Sequence, residues 1–173
     1  MTDRTDCNCE THFPFIFDSN CVYSGSFTVK PTPLLPDGLQ GFLNLCTRGD
    51  EDIRHQQWRV NAENTDRTPI VSSIFNIYKD KWHVQNMDVD EWFSHVDTKG
   101  SNSRLRLVSR DANTAVYEGL GTLWFYPGVV NIRTILQKHA DDIVSMRRHL
   151  FIKNTWEPVV DVLFHRVADH VLC

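Results

Sequence analysis

The sequence predicts a mainly β protein, built as a single antiparallel β-barrel or as one strongly curved sheet. Residues 103–152 contain four apolar runs of strand length, and turn-forming residues separate the runs. Residues 21–30 alternate apolar and polar side chains with the period of a half-buried strand. Residues 69–79 form the most β-prone run of the chain. The competing prediction is an α+β cone, in which a curved sheet wraps around helices.

The amino-terminal half is expected to contribute a leader and the first strands. Residues 1–20 are polar and partly extended, with the apolar segment 13–17 closing one end of the fold. Three closely spaced prolines end the first strand, because proline cannot donate to the ladder. Turn residues at 48–50 and 79–81 separate the later runs. The predicted strands of this half are 21–30, 41–47, 53–61, 69–79 and 82–87.

Two segments are predicted to be helical. Residues 88–97 carry Asp88 and Asp90 as caps, and their apolar residues fall at helical spacing. Residues 157–172 place Pro158 in the first turn, where its missing N–H costs nothing. One apolar stripe follows it, made of Val160, Leu163, Phe164, Val167 and Val171. This carboxyl-terminal helix should pack on the outside of the sheet or over one open mouth.

Residues 129–152 are ambiguous between two strands and one long helix. Ile132, Ile135 and Leu136 begin a stripe that fits a helix. β-Branched residues near both ends and the polar break at Asp141-Asp142 favour two strands. A continuous helix in this segment would make the fold α+β. The barrel prediction therefore requires residues 129–152 to form two strands.

Length and composition indicate one domain over residues 1–173, with 21–152 as its sheet. The chain is 41% hydrophobic and 23% charged, and its net charge is −4. This balance argues against a nucleic-acid partner, because phosphate binding requires clustered Lys and Arg. No apolar run approaches the ~18 residues of a membrane span, and the amino terminus lacks a secretory core. We expect a cytoplasmic protein without a membrane partner, and the sequence leaves open whether it forms a homodimer.

The motifs of metal and cofactor chemistry are not found. The five cysteines are odd in number and scattered, which favours free thiols in a cytoplasmic protein. Cys7, Cys9 and His12 lie close in sequence, but their spacing is not that of a zinc site. The sequence also contains no glycine-rich phosphate loop, H-E-x-x-H or G-x-S-x-G motif. We therefore expect neither a metal nor a cofactor.

Arg148 is the first candidate catalytic or binding residue. It stands between Met146 and Leu150 on the apolar face of a predicted strand. A guanidinium buried there needs a carboxylate or an anionic ligand. The functional interpretation is that Arg148 binds an acidic or enolic group inside a barrel, with Met146 beside it. The alternative is that Arg148 lies near a strand end and extends its side chain to water.

Glu118 is the second candidate catalytic residue. If its face of the strand points inward, burial raises the pKa of its carboxyl and suits it to general acid–base chemistry. Its face also carries Leu120 and Trp124, but the opposite face, with Tyr117 and Leu123, is equally apolar. The pattern alone therefore does not decide which face is internal.

Three tryptophans are candidate ligand-binding residues. Trp58, Trp82 and Trp124 each lie in a predicted strand among apolar neighbours. Several tryptophans that face inward would suit a flat or polyene-like ligand, because the indole is large and carries only one donor. Ordinary core packing is the alternative interpretation for all three.

The carboxyl-terminal half contains Trp124-Phe125, Arg133-Thr134, Lys138 and Ser145-Met146. These residues resemble the pocket-lining strands of S-type phycobilin lyases, which are calycin barrels that hold a bilin. The chain departs from that family because no helix precedes the first strand and Gly121-Thr122 replaces the acidic residue before Trp-Phe. The resemblance implies a calycin-like barrel with ligand contacts from Trp124 and Arg133. Periodicity alone places Arg133 on the outside.

Three functional hypotheses follow. The first is a cofactor-independent isomerase, cyclase or lyase that acts on a mostly apolar small molecule inside the barrel. It requires at least one inward-facing acid–base group. The second is a non-catalytic carrier of a hydrophobic small molecule or chromophore, which requires a cavity without such a group. The third is an interaction module with a filled core and no pocket.

Overall fold

The structure is a computed structural model that describes residues 15–49, 54–83 and 88–169, without the side chains of 80–83, 88–89 and 168–169. Within these ranges the chain forms ten strands and no helix. The strands are β1 (Cys21–Val29), β2 (Leu39–Gly49), β3 (His55–Asn64), β4 (Pro69–His83), β5 (Asp88–Asp97), β6 (Asn102–Arg110), β7 (Thr114–Leu123), β8 (Tyr126–Ala140), β9 (Ile143–Ile152) and β10 (Thr155–Asp169). Each strand pairs with its neighbours in sequence, and β10 pairs with β1, so the sheet is a closed antiparallel barrel. The predicted barrel is confirmed.

The barrel interior is filled by alternate residues of each strand, as expected for a pleated sheet. In β2, for example, Leu43, Leu45 and Thr47 are buried while the residues between them are partly or fully exposed. Aromatic rings make up much of this core. The largest fully buried side chains include Trp58, Tyr23, Tyr117, Phe17, Phe93 and Phe164.

One end of the barrel is closed by the segment that precedes β1. Phe15, Ile16 and Phe17 are all buried. The Phe17 ring meets Trp58 edge-on, with ring centroids 4.6 Å apart. Gln56 fixes the segment further, because its side-chain amide donates to the Phe17 carbonyl oxygen over 2.9 Å. The predicted apolar plug is confirmed for residues 15–17, and the rest of it lies outside the described residues.

The predicted helix at 88–97 is wrong, because this segment is strand β5. Its residues pair with β4 on one side and with β6 on the other. Phe93, which fits a helical stripe in the sequence, instead points into the barrel opposite Ile77 and Leu105. The apolar residues fit both periods, and pairing with two neighbouring strands decides between them.

The predicted carboxyl-terminal helix at 157–172 is also wrong within the described residues. Residues 155–169 are β10, which closes the barrel between β9 and β1. Pro158 does not begin a helix but lies at a bulge, where the pairing register with β9 shifts between Pro158 and Val160. Proline is tolerated at bulges because the ladder is already interrupted there.

The ambiguous segment 129–152 forms the β8–β9 hairpin, so the preferred interpretation is confirmed and the α+β cone is not supported. The predicted turn at 79–81 is instead a register shift within the continuous strand β4. Cys46 is disulfide-bonded, so the expectation of a free thiol is wrong for this residue. Among the described residues, no helix is long and apolar enough to cross a membrane.

Candidate functional site

A cavity of about 90 Å³ lies inside the barrel, in the half away from the plug. It is reached where β1, β3 and β5 end and β2 and β4 begin, because residues at those strand ends line it. Most of its wall is apolar. The apolar residues include Phe27, Leu43, Val60, Phe75, Trp124, Phe125, Met146 and Val162. Three of the lining residues, on β5 and β9, carry ionisable groups.

Arg148 is the cation of this cavity, and the residue is only 3% exposed. Its Nε donates to the Thr134 hydroxyl of β8 over 3.1 Å, and its Nη1 lies 3.3 Å from Nδ1 of His95. Its Nη2 is buried and has no hydrogen-bond partner among the residues that the structure describes. Burial lowers the pKa of the guanidinium to about 10, and the Asp97 charge opposes that shift. The group remains cationic at neutral pH with one unused donor.

His95 lies on β5 and reaches Arg148 across the interior. Its imidazole stacks on the Phe75 ring, with centroids 4.3 Å apart and planes within 5°. Because a guanidinium only donates, Nδ1 must accept the Arg148 hydrogen bond, and the proton of the neutral ring is then assigned to Nε2. Burial and the Arg148 charge both lower the pKa of His95 well below 6.5. The imidazole is therefore neutral at neutral pH.

Asp97 is the carboxylate of the cavity, with a side chain 1% exposed. Its Oδ1 accepts the backbone N–H groups of Lys99 and Ser101, each over 2.9 Å. Its Oδ2 lies 3.5 Å from His95 Nε2, but the two atoms do not form a hydrogen bond. The carboxylate is therefore held by the β5–β6 turn, and no described residue accepts a hydrogen bond from His95 Nε2.

Two buried donors thus lie unused beside an apolar cavity, one on Arg148 and one on His95. Buried polar groups in native proteins are almost always hydrogen-bonded, so each exception needs an explanation. Both groups are donors, and a single acceptor-rich group could satisfy both. The arrangement is suited to the polar end of an otherwise apolar molecule.

The structure brings together three of the residues predicted from sequence. Arg148, Met146 and Trp124 all line the cavity. Trp58 does not: it is buried in the core toward the plug, and its Nε1 donates to Gln56 Oε1 over 2.6 Å. The side chain of Trp82 lies outside the described residues.

The other two predicted site residues are placed elsewhere. Glu118 and Arg133 lie on the outer surface, where Arg133 Nε donates to Glu118 Oε1 over 2.6 Å. Their side chains are about one-third exposed, at 32% and 30% respectively. The Arg133 guanidinium also lies 4.2 Å from the centre of the Trp156 ring. Neither residue reaches the interior, because Tyr117 and Ile132 are the residues of β7 and β8 that face inward there.

His95, Asp97 and Thr134 are the site residues that sequence reasoning missed. His95 and Asp97 were hidden by the helix prediction for 88–97. Their positions alternate in the sequence, so a strand prediction for this segment would have placed them on one face. That face also carries Glu91 and Phe93, and its three polar residues would then have stood out as candidate site residues. Thr134 sits between Ile132 and Leu136 on an apolar face of β8, the same kind of interruption that identified Arg148.

A second ionic group lies at the closed end of the barrel. Both carboxylate oxygens of Glu91 accept from Arg110 Nη1, at 2.8 and 2.9 Å, and Oε1 also accepts the Tyr117 hydroxyl over 2.5 Å. Burial and the Glu91 charge raise the pKa of Tyr117 well above 10. Lys79 lies over the Phe15 ring at 4.0 Å, and burial lowers its pKa to about 8. These contacts tie the plug to the strands, and we assign this group a structural role.

Comparisons with known proteins add little to this geometry. No family model matches the chain, and no curated protein matches it. One solved structure to which the chain is similar is described as the de novo design of a fluorescence-activating beta barrel. It is 12% identical, with a TM-score of 0.42, and the match covers 91% of this chain and 95% of that one. Among the described residues, no group of three His, Cys, Asp or Glu side chains could hold a metal ion.

Proposed function

We propose that this barrel binds a small, mostly apolar molecule through an anionic or enolic end. The observation that supports it is the pair of unused buried donors, Arg148 Nη2 and His95 Nε2, beside an apolar cavity. A carboxylate or enolate oxygen would accept from both groups. Without such a ligand the two donors remain desolvated and unpaired, at a cost in free energy.

The charge of the cavity favours a monoanion over a dianion. Arg148 is cationic and Asp97 carries a carboxylate, so the apo cavity holds one charge of each sign. A monoanion would leave a single excess negative charge, whereas a dianion would add strong repulsion from Asp97 in a medium of low dielectric. The apolar part of the ligand would pack against Met146 and Trp124.

A cofactor-independent isomerase, cyclase or lyase is the second candidate function, and His95 favours it. The enzyme hypothesis requires an inward-facing acid–base group, and a neutral imidazole lining the cavity is such a group. Its Nδ1 becomes available as a base only when Arg148 transfers its hydrogen bond to the ligand. The interaction-module hypothesis loses support, because it requires a filled core without a pocket.

Isothermal titration calorimetry with three matched probes tests the binding proposal. The probes are a medium-chain carboxylate, its methyl ester and the corresponding alcohol. We expect the carboxylate to bind best and Arg148→Met to weaken it by about 1.5–3 kcal/mol, or roughly tenfold to more than a hundredfold. The matched control is Arg59→Met, which removes an exposed arginine on the outer face of β3.

Equal affinity of the wild-type protein for the acid, ester and alcohol would contradict the proposal. So would an equal loss of binding in the two arginine variants. The enzyme candidate is tested separately, by solvent deuterium incorporation into a bound 1,3-dicarbonyl probe followed by NMR. Exchange that is accelerated by the wild-type protein and lost in His95→Gln supports catalysis. Binding without accelerated exchange supports the carrier.

A further inference from the structure

A second concave site lies on the outside of the barrel, where β1, β9 and β10 meet. It has a volume of about 500 Å³ and is lined by residues of all three strands, including Thr28, Lys30, Arg147, His149, Pro158 and Asp161. The register shift between Pro158 and Val160 lies in the wall of this depression, where the regular pairing of β10 with β9 is interrupted. We call this depression the outer cleft.

Basic side chains predominate in the outer cleft. Lys30 enters from the end of β1, and Arg147 and His149 project from the outer face of β9. Asp161 is the acidic residue among the described residues that line the cleft, and its Oδ1 lies 3.6 Å from Arg147 Nε in a largely exposed ion pair. Exposed pairs of this kind contribute little and are easily exchanged for another partner. Arg147 is thus available to a bound anion.

One further cation stands beside the cleft. Arg133 of β8 pairs across the sheet with His149, although its Nε is engaged by Glu118. Counting Lys30, Arg147 and Asp161 with His149 neutral, the cleft carries an excess of one positive charge. Protonated His149 would raise that excess to two. This local excess of positive charge contrasts with the net charge of −4 of the whole chain.

We propose that the outer cleft binds a phosphate-type oxyanion, with Lys30 and Arg147 as its cationic contacts and His149 as its third donor. This site is separate from the barrel cavity and does not depend on the function proposed for it. A phosphate or phosphate monoester has several acceptor oxygens, which can receive the ammonium, guanidinium and imidazole donors at once.

The surroundings of His149 make such binding dependent on pH. Burial lowers the pKa of His149, and Arg133, Arg147 and Lys30 lower it further, whereas Asp161 acts in the opposite direction. A bound dianion would offset the three cations and raise that pKa. By linkage, protonation of His149 strengthens the binding of the phosphate dianion.

The test is an NMR titration of the histidine ring protons with inorganic phosphate at constant ionic strength, with chloride as the reference salt. We expect a saturable change at His149 and a higher pKa for it in phosphate than in chloride. His55, on the outer face of β3, reports general salt effects. Lys30→Met and Arg147→Met should each weaken phosphate binding about fivefold. Arg59→Met, a change of an exposed arginine on β3, should not.

A second arm distinguishes a soluble phosphate from a lipid headgroup. Sedimentation with vesicles containing phosphatidic acid is compared with vesicles of phosphatidylcholine alone. Phosphate binding without sedimentation identifies a soluble oxyanion, and sedimentation lost in Lys30→Met identifies a headgroup. The proposal is overturned if phosphate moves His149 no more than it moves His55, or if the Arg59→Met control loses as much affinity as the cleft variants.

Discussion

The Nη1 of Arg148, on β9, lies 3.3 Å from the Nδ1 of His95, on β5. This contact crosses the barrel interior between strands that are not neighbours in the sheet. It assigns the proton of the neutral imidazole to Nε2, since a guanidinium cannot accept a hydrogen bond. His95 Nε2 and Arg148 Nη2 both lack a hydrogen-bond partner among the described residues, and both residues line the cavity. The proposed function rests on this property.

His95 should make the folded protein sensitive to mild acid. Its pKa is lower in the folded protein than the ordinary value of 6.5, because of burial and the Arg148 charge. As the pH falls below about 6.5, the unfolded chain binds a proton at this histidine before the folded protein does. His95 therefore lowers the free energy of unfolding below that pH and has no such effect above it. We expect His95→Gln to reduce this loss, measured as urea midpoints between roughly pH 5 and 8.

The matched control for that experiment is His165→Gln, which changes an exposed histidine on the outer face of β10. It should retain the acid sensitivity of the wild-type protein. His149 contributes in the same direction in every variant, since its pKa is also lowered. If His95→Gln and the wild-type protein lose stability equally between neutral and acidic pH, His95 is not a source of the acid sensitivity.

Glu91 and Asp90 are adjacent on β5 but should differ greatly in their effect on stability. Glu91 is fully buried and holds Arg110 and the Tyr117 hydroxyl, so Glu91→Gln should destabilise the protein by roughly 3 kcal/mol or more. Asp90 forms an exposed pair with Arg106, and Asp90→Asn should change the free energy of unfolding by about 1 kcal/mol or less. Urea denaturation measures the free energy of unfolding of both variants. Similar decreases in the two would show that the buried Glu91 network contributes no more to stability than the exposed ion pair.

Trp124 and Trp58 should separate ligand binding from stability. Trp124 lines the cavity, so Trp124→Leu should weaken an apolar probe by roughly 1–2 kcal/mol, about fivefold to thirtyfold, and polar analogues less. Trp58 packs outside the cavity lining, and Trp58→Phe leaves Gln56 Oε1 without its donor. That variant should unfold more easily while keeping the selectivity of the wild-type protein. A selectivity change in Trp58→Phe alone would contradict this assignment.

Truncation after Asn154 should prevent stable folding, because it removes β10. The barrel would lose the strand that pairs with both β9 and β1, and two open edges would remain. Val162 and Phe164 are buried, and side chains of this kind contribute roughly 1.5–3 kcal/mol each. The total rivals the net stability of a domain. Thermal melting checks this, and a truncated chain that melts at the full-length temperature would refute it.

Many strands of the barrel were predictable, because local sequence patterns of alternating side chains and turn residues indicate them. The alternation in 21–30 and the turn residues of 103–152 placed strands where the structure has β1 and β6 to β9. The single charge on an apolar strand face likewise made Arg148 a candidate interior residue, since parity within a regular strand is a local property, but it left open the alternative that the side chain reaches water. The structure decides for the interior. Met146 follows from the same parity.

Some assignments depended on contacts distant in sequence. Residues 88–97 and 157–169 fit helices equally well, and only their pairing with neighbouring strands makes them β5 and β10. Glu118 had apolar residues on both faces of its strand, so only closure of the sheet put it outside and Tyr117 inside. The contact between His95 and Arg148 could be predicted only by knowing both that residues 88–97 form a strand and that the sheet closes into a barrel. The sequence by itself determined the strand-rich class and the apolar residues that share a strand face with Arg148, because periodicity is encoded locally. The partner of that arginine was decided by tertiary structure, because it depends on which strands face each other across the closed barrel.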